Sequence, residues 1–142
     1  MPAVVRSIEI EARPSEVWQW VADQGALRRW LGESLEIDLR VGGAYRLLGP
    51  DHETSISGVV LDLVPEGALI LSWLEEDAGW AHPARLVLTL EATATGTKVC
   101  LVHDGFAGIG KEWAGALDAY ERGADRHLVL KQLADLVTSG SA

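Results

Sequence analysis

Cysteine, phenylalanine and methionine each occur once in this 142-residue chain, and proline occurs five times. A lone thiol, Cys100, cannot close an internal disulfide, which fits a reducing compartment. No apolar run approaches the roughly 18 residues that a membrane span requires. The opening MPAVVRSIEIEARP lacks the charged-then-apolar order of a signal peptide, so a cytoplasmic protein is expected. Positive charge is also scarce: 12 Lys and Arg stand against 21 Asp and Glu, for a net charge of -9. Nucleic acid is therefore excluded as a partner, because counterion release needs a basic surface, and anionic membranes are disfavoured for the same reason.

Several catalytic signatures are missing too. His52, His82, His103 and His127 fall in four different expected elements, and none has a second His or Cys at helical spacing. No metal site or cofactor is expected. Neither a nucleophile elbow, a P-loop nor a dinucleotide fingerprint is present. By strand alternation Cys100 faces away from His103 and so has no neighbouring base to activate it.

What the chain does have is ordinary globular chemistry, with 48% hydrophobic and 23% charged residues. Residues 1–142 are expected to form one domain. Its aromatic mass is concentrated in six tryptophans against two Tyr and one Phe. Three of them, Trp18, Trp20 and Trp30, sit in VWQWVADQGALRRWLG. Trp18 shares a helix face with Val21 and reads as core, whereas Trp20 points elsewhere and reads as partly exposed.

The segment from Ala3 to Ala12 alternates as a strand and stops before Pro14. RPSEVWQWVADQG then has helix-start chemistry, with Gly25 as its stop, and ALRRWLG is a second short helix. SLEIDLRV sets Leu35, Ile37, Leu39 and Val41 against Glu36, Asp38 and Arg40, as a half-buried antiparallel strand does. AYRLL, SISGVVLDLV, GALILSWL, PARLVLTLEA and KVCLVHD follow as further strands. From GIGKEW onward the pattern is one long helical segment. Trp113, Leu117, Tyr120, Ala124 and Leu128 form one stripe, and Leu130, Leu133 and Val137 another. A shift near Gly123 implies either a bend or burial on two sides.

One sheet and one amphipathic helix must cover each other, which gives an α+β fold. In the order IEIEARPSEVWQWV, LRRWLG, EIDLRVGGAYRL, GVVLDLVPEGALILSW and TKVCLVHDGF before the final helix, the chain resembles the START-like (SRPBCC) superfamily. Within it, the chain is similar to the branch named after the activator of the heat-shock chaperone ATPase. The resemblance implies a helix-grip fold: a curved antiparallel sheet of about six to seven strands around a long C-terminal helix, with two short helices after the first strand. It also implies a tendency to enclose an apolar cavity. Where the family has a Gly-Trp pair in the last helix, this chain has Gly123-Ala124.

Such scaffolds host many activities, so function has to be sought in the site. The residues expected to converge between sheet and helix are Trp30, Tyr45, Trp73, His103, Phe106, Trp113, Leu117 and Tyr120. Large rings with a few polar tips suit a small hydrophobic ligand, lipid-like or aromatic and polyketide-like. Any one of these rings taken singly is better read as core, and it is as a set, on a fold disposed to form cavities, that they read equally well as a site. Glu33, Glu36, Asp38 and the run Glu75 to Asp77 read as solvated charge, and no carboxylate pair converges for hydrolysis. Three functions fit this pattern. The leading one is non-catalytic binding of a small hydrophobic molecule. The second is an interaction module whose acidic surface meets a basic protein partner, with a homodimer left open. The third is a cyclase or dehydratase using His103 as base.

Overall fold

The computed structural model describes residues 3–49, 53–76, 78–110, 113–127 and 129–139. Its strands are β1 (Ala3–Ile10), β2 (Glu36–Ile37), β3 (Ala44–Leu48), β4 (Ser55–Val64), β5 (Ala68–Glu75), β6 (Ala84–Ala92) and β7 (Thr97–Asp104). They form one antiparallel sheet in the order β1-β7-β6-β5-β4-β3-β2. Helices α1 (Pro14–Trp18) and α2 (Gln24–Arg28) follow β1, and α3 (Trp113–His127) and α4 (Val129–Ser139) close the chain. This is the expected α+β helix-grip arrangement.

Alternation decides which face is covered. Tyr45, Leu47, Ile56, Leu69, Leu71, Trp73, Leu86, Leu88, Leu90 and Val99 are all buried, together with Val17, Trp18, Val21 and Leu27 from the first helical region. α4 packs on β1 and buries Leu130, Leu133 and Val137. α3 packs on β1 and the turn after β7, with Leu117 and Tyr120 only half-buried. The two stripes read from the sequence therefore correspond to a shallow α3 and a deeply buried α4. Leu128 lies outside the described residues, as do the side chains of Gly123 and Ala124.

The opposite face presents an apolar row fixed by register: Val5 pairs with Val102, Val102 with Val87, and Val87 with Ile70. Cys100 shares this face, between Ser7 and Thr89, so the thiol does point away from His103.

Two sequence expectations change. SLEIDLRV pairs only at Glu36–Ile37, because the following backbone folds on itself: the Arg40 N–H donates to the Asp38 carbonyl at 2.8 Å, and the Gly43 N–H to that of Arg40 at 2.8 Å. Gly42 takes φ 85°, the left-handed region that favours glycine. Val41 is left 60% exposed instead of joining the buried set. Gly25 lies inside α2 instead of ending α1, and Asp23 caps α2 by accepting from the Ala26 N–H at 3.1 Å.

Gly58 is required by close approach. A Cβ there would lie 2.3 Å from the Ser72 carbonyl oxygen and 2.8 Å from the Tyr45 ring. Tyr45 is buried, and the sheet holds both neighbours in place. Gly58→Ala is expected to cost about 1–3 kcal/mol through overpacking. The check is a lower urea midpoint at unchanged slope.

Candidate functional site

Five elements bring their side chains to one end of the covered face. β5 carries Trp73 inward. On β7, His103 points inward in register with Val4 and Leu86. Gly105, at φ 84°, turns the chain out of β7 into a short 3-10 turn, Phe106–Gly108, which lays the Phe106 ring inward. α3 supplies Tyr120, and the loop between β5 and β6 supplies Trp80. The Ala81 N–H donates to the Ile109 carbonyl at 2.6 Å, tying that loop to the end of the turn.

His103 is the hub of this cluster. Its ring lies 4.6 Å from Tyr120, 4.8 Å from Phe106 and 4.9 Å from Trp73, centroid to centroid. Trp80 stands 6.4 Å from Tyr120 and 6.5 Å from Phe106. Most of these pairs meet edge to face, the arrangement in which ring quadrupoles attract.

The polar tips are nearly all used inside the protein. The Trp73 indole N–H donates to the Tyr120 oxygen at 2.9 Å, and the Tyr120 hydroxyl donates to Glu75 Oε1. Burial first, and the Glu75 hydrogen bond second, raise the Tyr120 phenol well above its ordinary range. Burial does the same to Tyr45, whose hydroxyl donates to the Ser72 carbonyl. His103 differs. Among the described residues, its Nε2 is the buried side-chain atom without a hydrogen-bond partner. Burial drives its pKa down to about 3, against a smaller upward pull from Asp104. Asp104 itself is engaged on the other face by Arg85, in a two-pronged pair at 2.9 and 2.7 Å. The imidazole at the hub is therefore neutral near pH 7.

Of the residues expected from sequence, Trp73, His103, Phe106 and Tyr120 thus form one cluster, in which His103 and Tyr120 each meet the other three. Leu117 is half-buried on α3, three residues before Tyr120. Tyr45 is buried two strands away from Trp73 and reaches β5 through Ser72. Trp30 is buried for a different reason: its indole N–H donates to the Trp20 carbonyl at 2.9 Å, locking α2 to the end of α1. Trp113 opens α3, and its side chain lies outside the described residues.

Two members escaped the sequence reading. Glu75, read as solvated charge, accepts from Tyr120, and Trp80 was assigned to no element. Glu75 had a signal, since it continues the inward alternation Leu69, Leu71, Trp73. Trp80 had only its own ring, because a loop has no periodicity to assign it a face. As for metal, no group of three or more His, Cys, Asp or Glu among the described residues is placed to hold an ion. No described helix is long and apolar enough to cross a membrane.

A seven-stranded antiparallel sheet closed by C-terminal helices, with its inner face gathered around a ring cluster, places the chain in the helix-grip fold class. Within that class the chain belongs to the family described as "Activator of Hsp90 ATPase homolog 1-like protein", whose model matches residues 11–138. Among solved structures, it is similar to protein MLL2253 from Mesorhizobium loti, with TM-score 0.78, 19% identity and 96% of each chain covered. It is similar to the Aha1 dimer from Colwellia psychrerythraea at TM-score 0.74 and 16% identity, with 100% of each chain covered. It also resembles CalU16 from Micromonospora echinospora, at TM-score 0.72 and 23% identity, over 98% of this chain and 78% of that one. No curated protein matches the chain.

Proposed function

We propose that this chain, as one domain over residues 1–142, binds a small hydrophobic or aromatic molecule between the sheet and α3, at the cluster centred on His103. The observation that supports this most is the buried Nε2 of His103, left without a partner among aromatic faces. A buried polar atom in that state costs about 1–3 kcal/mol, and a bound molecule offering a hydrogen bond removes the cost. The covering elements can yield: Tyr120, Leu117 and Trp80 are half-buried, whereas Phe106 is fully enclosed. Base catalysis by His103 is less well supported, because an imidazole with its pKa pushed to about 3 is a poor proton acceptor at neutral pH.

Titration with fatty acids, flavonoids and polyketide-like aromatics, followed by tryptophan emission, tests the reading. A saturable change is expected with at least one aromatic member, reported by Trp73 and Trp80. A flat response to the whole panel would remove it.

A protein-interaction function is the second reading. It draws on the family description and on the apolar row Val5, Val102, Val87 and Ile70 on the outer face. An unchanged Hsp90 ATPase rate in the presence of the protein would remove its chaperone-activator form.

A further inference from the structure

Resting on the ligand-binding reading above, we propose that the molecule recognised at this cluster is uncharged, aromatic and hydroxylated, and that its hydroxyl bonds to Nε2 of His103. The cluster has little buried hydrogen-bonding capacity left to offer. Trp73 donates to Tyr120, Tyr120 donates to Glu75, Tyr45 donates to the Ser72 carbonyl, and Trp30 donates to the Trp20 carbonyl. Every donor on these side chains is thereby spent within the fold. Thr97, the other buried polar residue, donates to the Ala12 carbonyl at 2.7 Å. Nε2 of His103 remains, 93% of its residue being enclosed by a relative exposure of 7%.

One vacant atom amid rings selects a ligand with one matching polar group and an otherwise apolar body. A hydroxyl is the group that satisfies Nε2 in either imidazole tautomer, since it donates to the bare nitrogen and accepts from the protonated one. A ketone meets only the second case. A carboxylate would have to shed its hydration among aromatic faces with no cation among the cluster residues to receive it, and an ammonium would meet only Glu75, already bonded to the Tyr120 hydroxyl. Burial also keeps His103 uncharged near pH 7, so it exerts no ionic attraction on a carboxylate. Ring-on-ring contact is what the cluster provides elsewhere, through Trp73, Phe106, Trp80 and Tyr120.

Four probes of one shape test this: naphthalene, naphthol, naphthoate and naphthylmethylammonium. Naphthol is expected to bind the unaltered protein about tenfold more tightly than naphthalene, and each charged probe at least about tenfold more weakly than naphthol. In histidine-labelled protein followed by NMR, the His103 Nε2 resonance should move with naphthol and stay in place with naphthalene. His103→Leu should bind naphthol and naphthalene equally, while His103→Gln, which sets an amide near the position of Nε2, should retain part of the preference. Equal binding of naphthol and naphthalene by the unaltered protein would overturn the hydroxyl assignment and leave the binding reading standing. So would tightest binding of the ammonium or carboxylate probe, or a preference that persists in His103→Leu. If none of the four binds, both fall. The NMR arm uses the native sequence, so a variant that fails to fold does not blunt the test.

Discussion

Between about pH 7 and about pH 4 the protein is expected to lose about 3 kcal/mol of folding stability through His103 alone. The unfolded chain takes up a proton near the ordinary imidazole value of about 6.5, whereas burial holds the folded group down to about 3. A depressed folded pKa means that the stabilising difference is complete above the unfolded value and is lost as pH falls toward the folded one. Each pH unit in that window removes about 1.4 kcal/mol. Other groups also titrate there: hydrogen bonds from Thr93 and Thr95 lower Glu9, and those from Ser57 and Ser55 lower Glu76. Both carboxylates are exposed, and the comparison that isolates the imidazole is with His103→Leu. The leucine variant should be about 1 kcal/mol more stable at neutral pH, because it deletes an unpaired buried nitrogen. Its advantage should widen steadily below about pH 6.5. Urea titrations of both proteins across this range would measure the gap. A gap that stays constant with pH would mean that His103 is not held neutral by its surroundings.

Phe106→Ala should cost about 3–5 kcal/mol. The ring is fully enclosed and meets His103 at 4.8 Å, Tyr120 at 5.5 Å and Trp80 at 6.5 Å. Its removal forfeits the transfer energy and leaves a hole lined by rings from three different elements. The collapse that would refill it is restrained. The turn that carries Phe106 starts at a left-handed Gly105 and ends at Ile109, itself buried and tied to Ala81. The loss is read from thermal or urea unfolding. A small deficit, below about 1 kcal/mol, would mean that the surrounding rings close over the gap. Such a deficit would also weaken the case for a rigid cluster around His103.

The strands were legible where burial alternates without interruption. AYRLL and SISGVVLDLV coincide with β3 and β4. Leu86, Leu88 and Leu90 are buried as their spacing predicts. The alternation after Ile37 was as regular on paper, yet Asp38–Gly43 bonds within itself and then onto β4, where Gly42 donates to the Val60 carbonyl at 2.8 Å. Side-chain period reports which face a residue would occupy; it does not report whether a partner backbone lies alongside. The same limit applies to the site. His103, Trp73 and Tyr120 were accessible through periodicity on three elements, and Phe106 through its place at the entry to the last helix. Trp80 comes from a loop, and Glu75 was misjudged on its charge although its strand position was inward. Which rings touch, and which nitrogen is left over, depend on distances across the sheet that no local pattern encodes.

The register of β1 also bears on how the chain is made. Val4 pairs with His103, and among the described residues β7 is the only strand flanking β1. β1 leaves the ribosome before β2 to β7 and therefore lacks its partner in this sheet until β7 has been synthesised, while β3 to β6 can zip hairpin by hairpin as they emerge. During that interval its alternating Val4, Ile8 and Ile10 wait uncovered. Docking of β1 on β7, with α4 arriving behind it, is accordingly the late step of biogenesis, and the aromatic cluster is assembled only then.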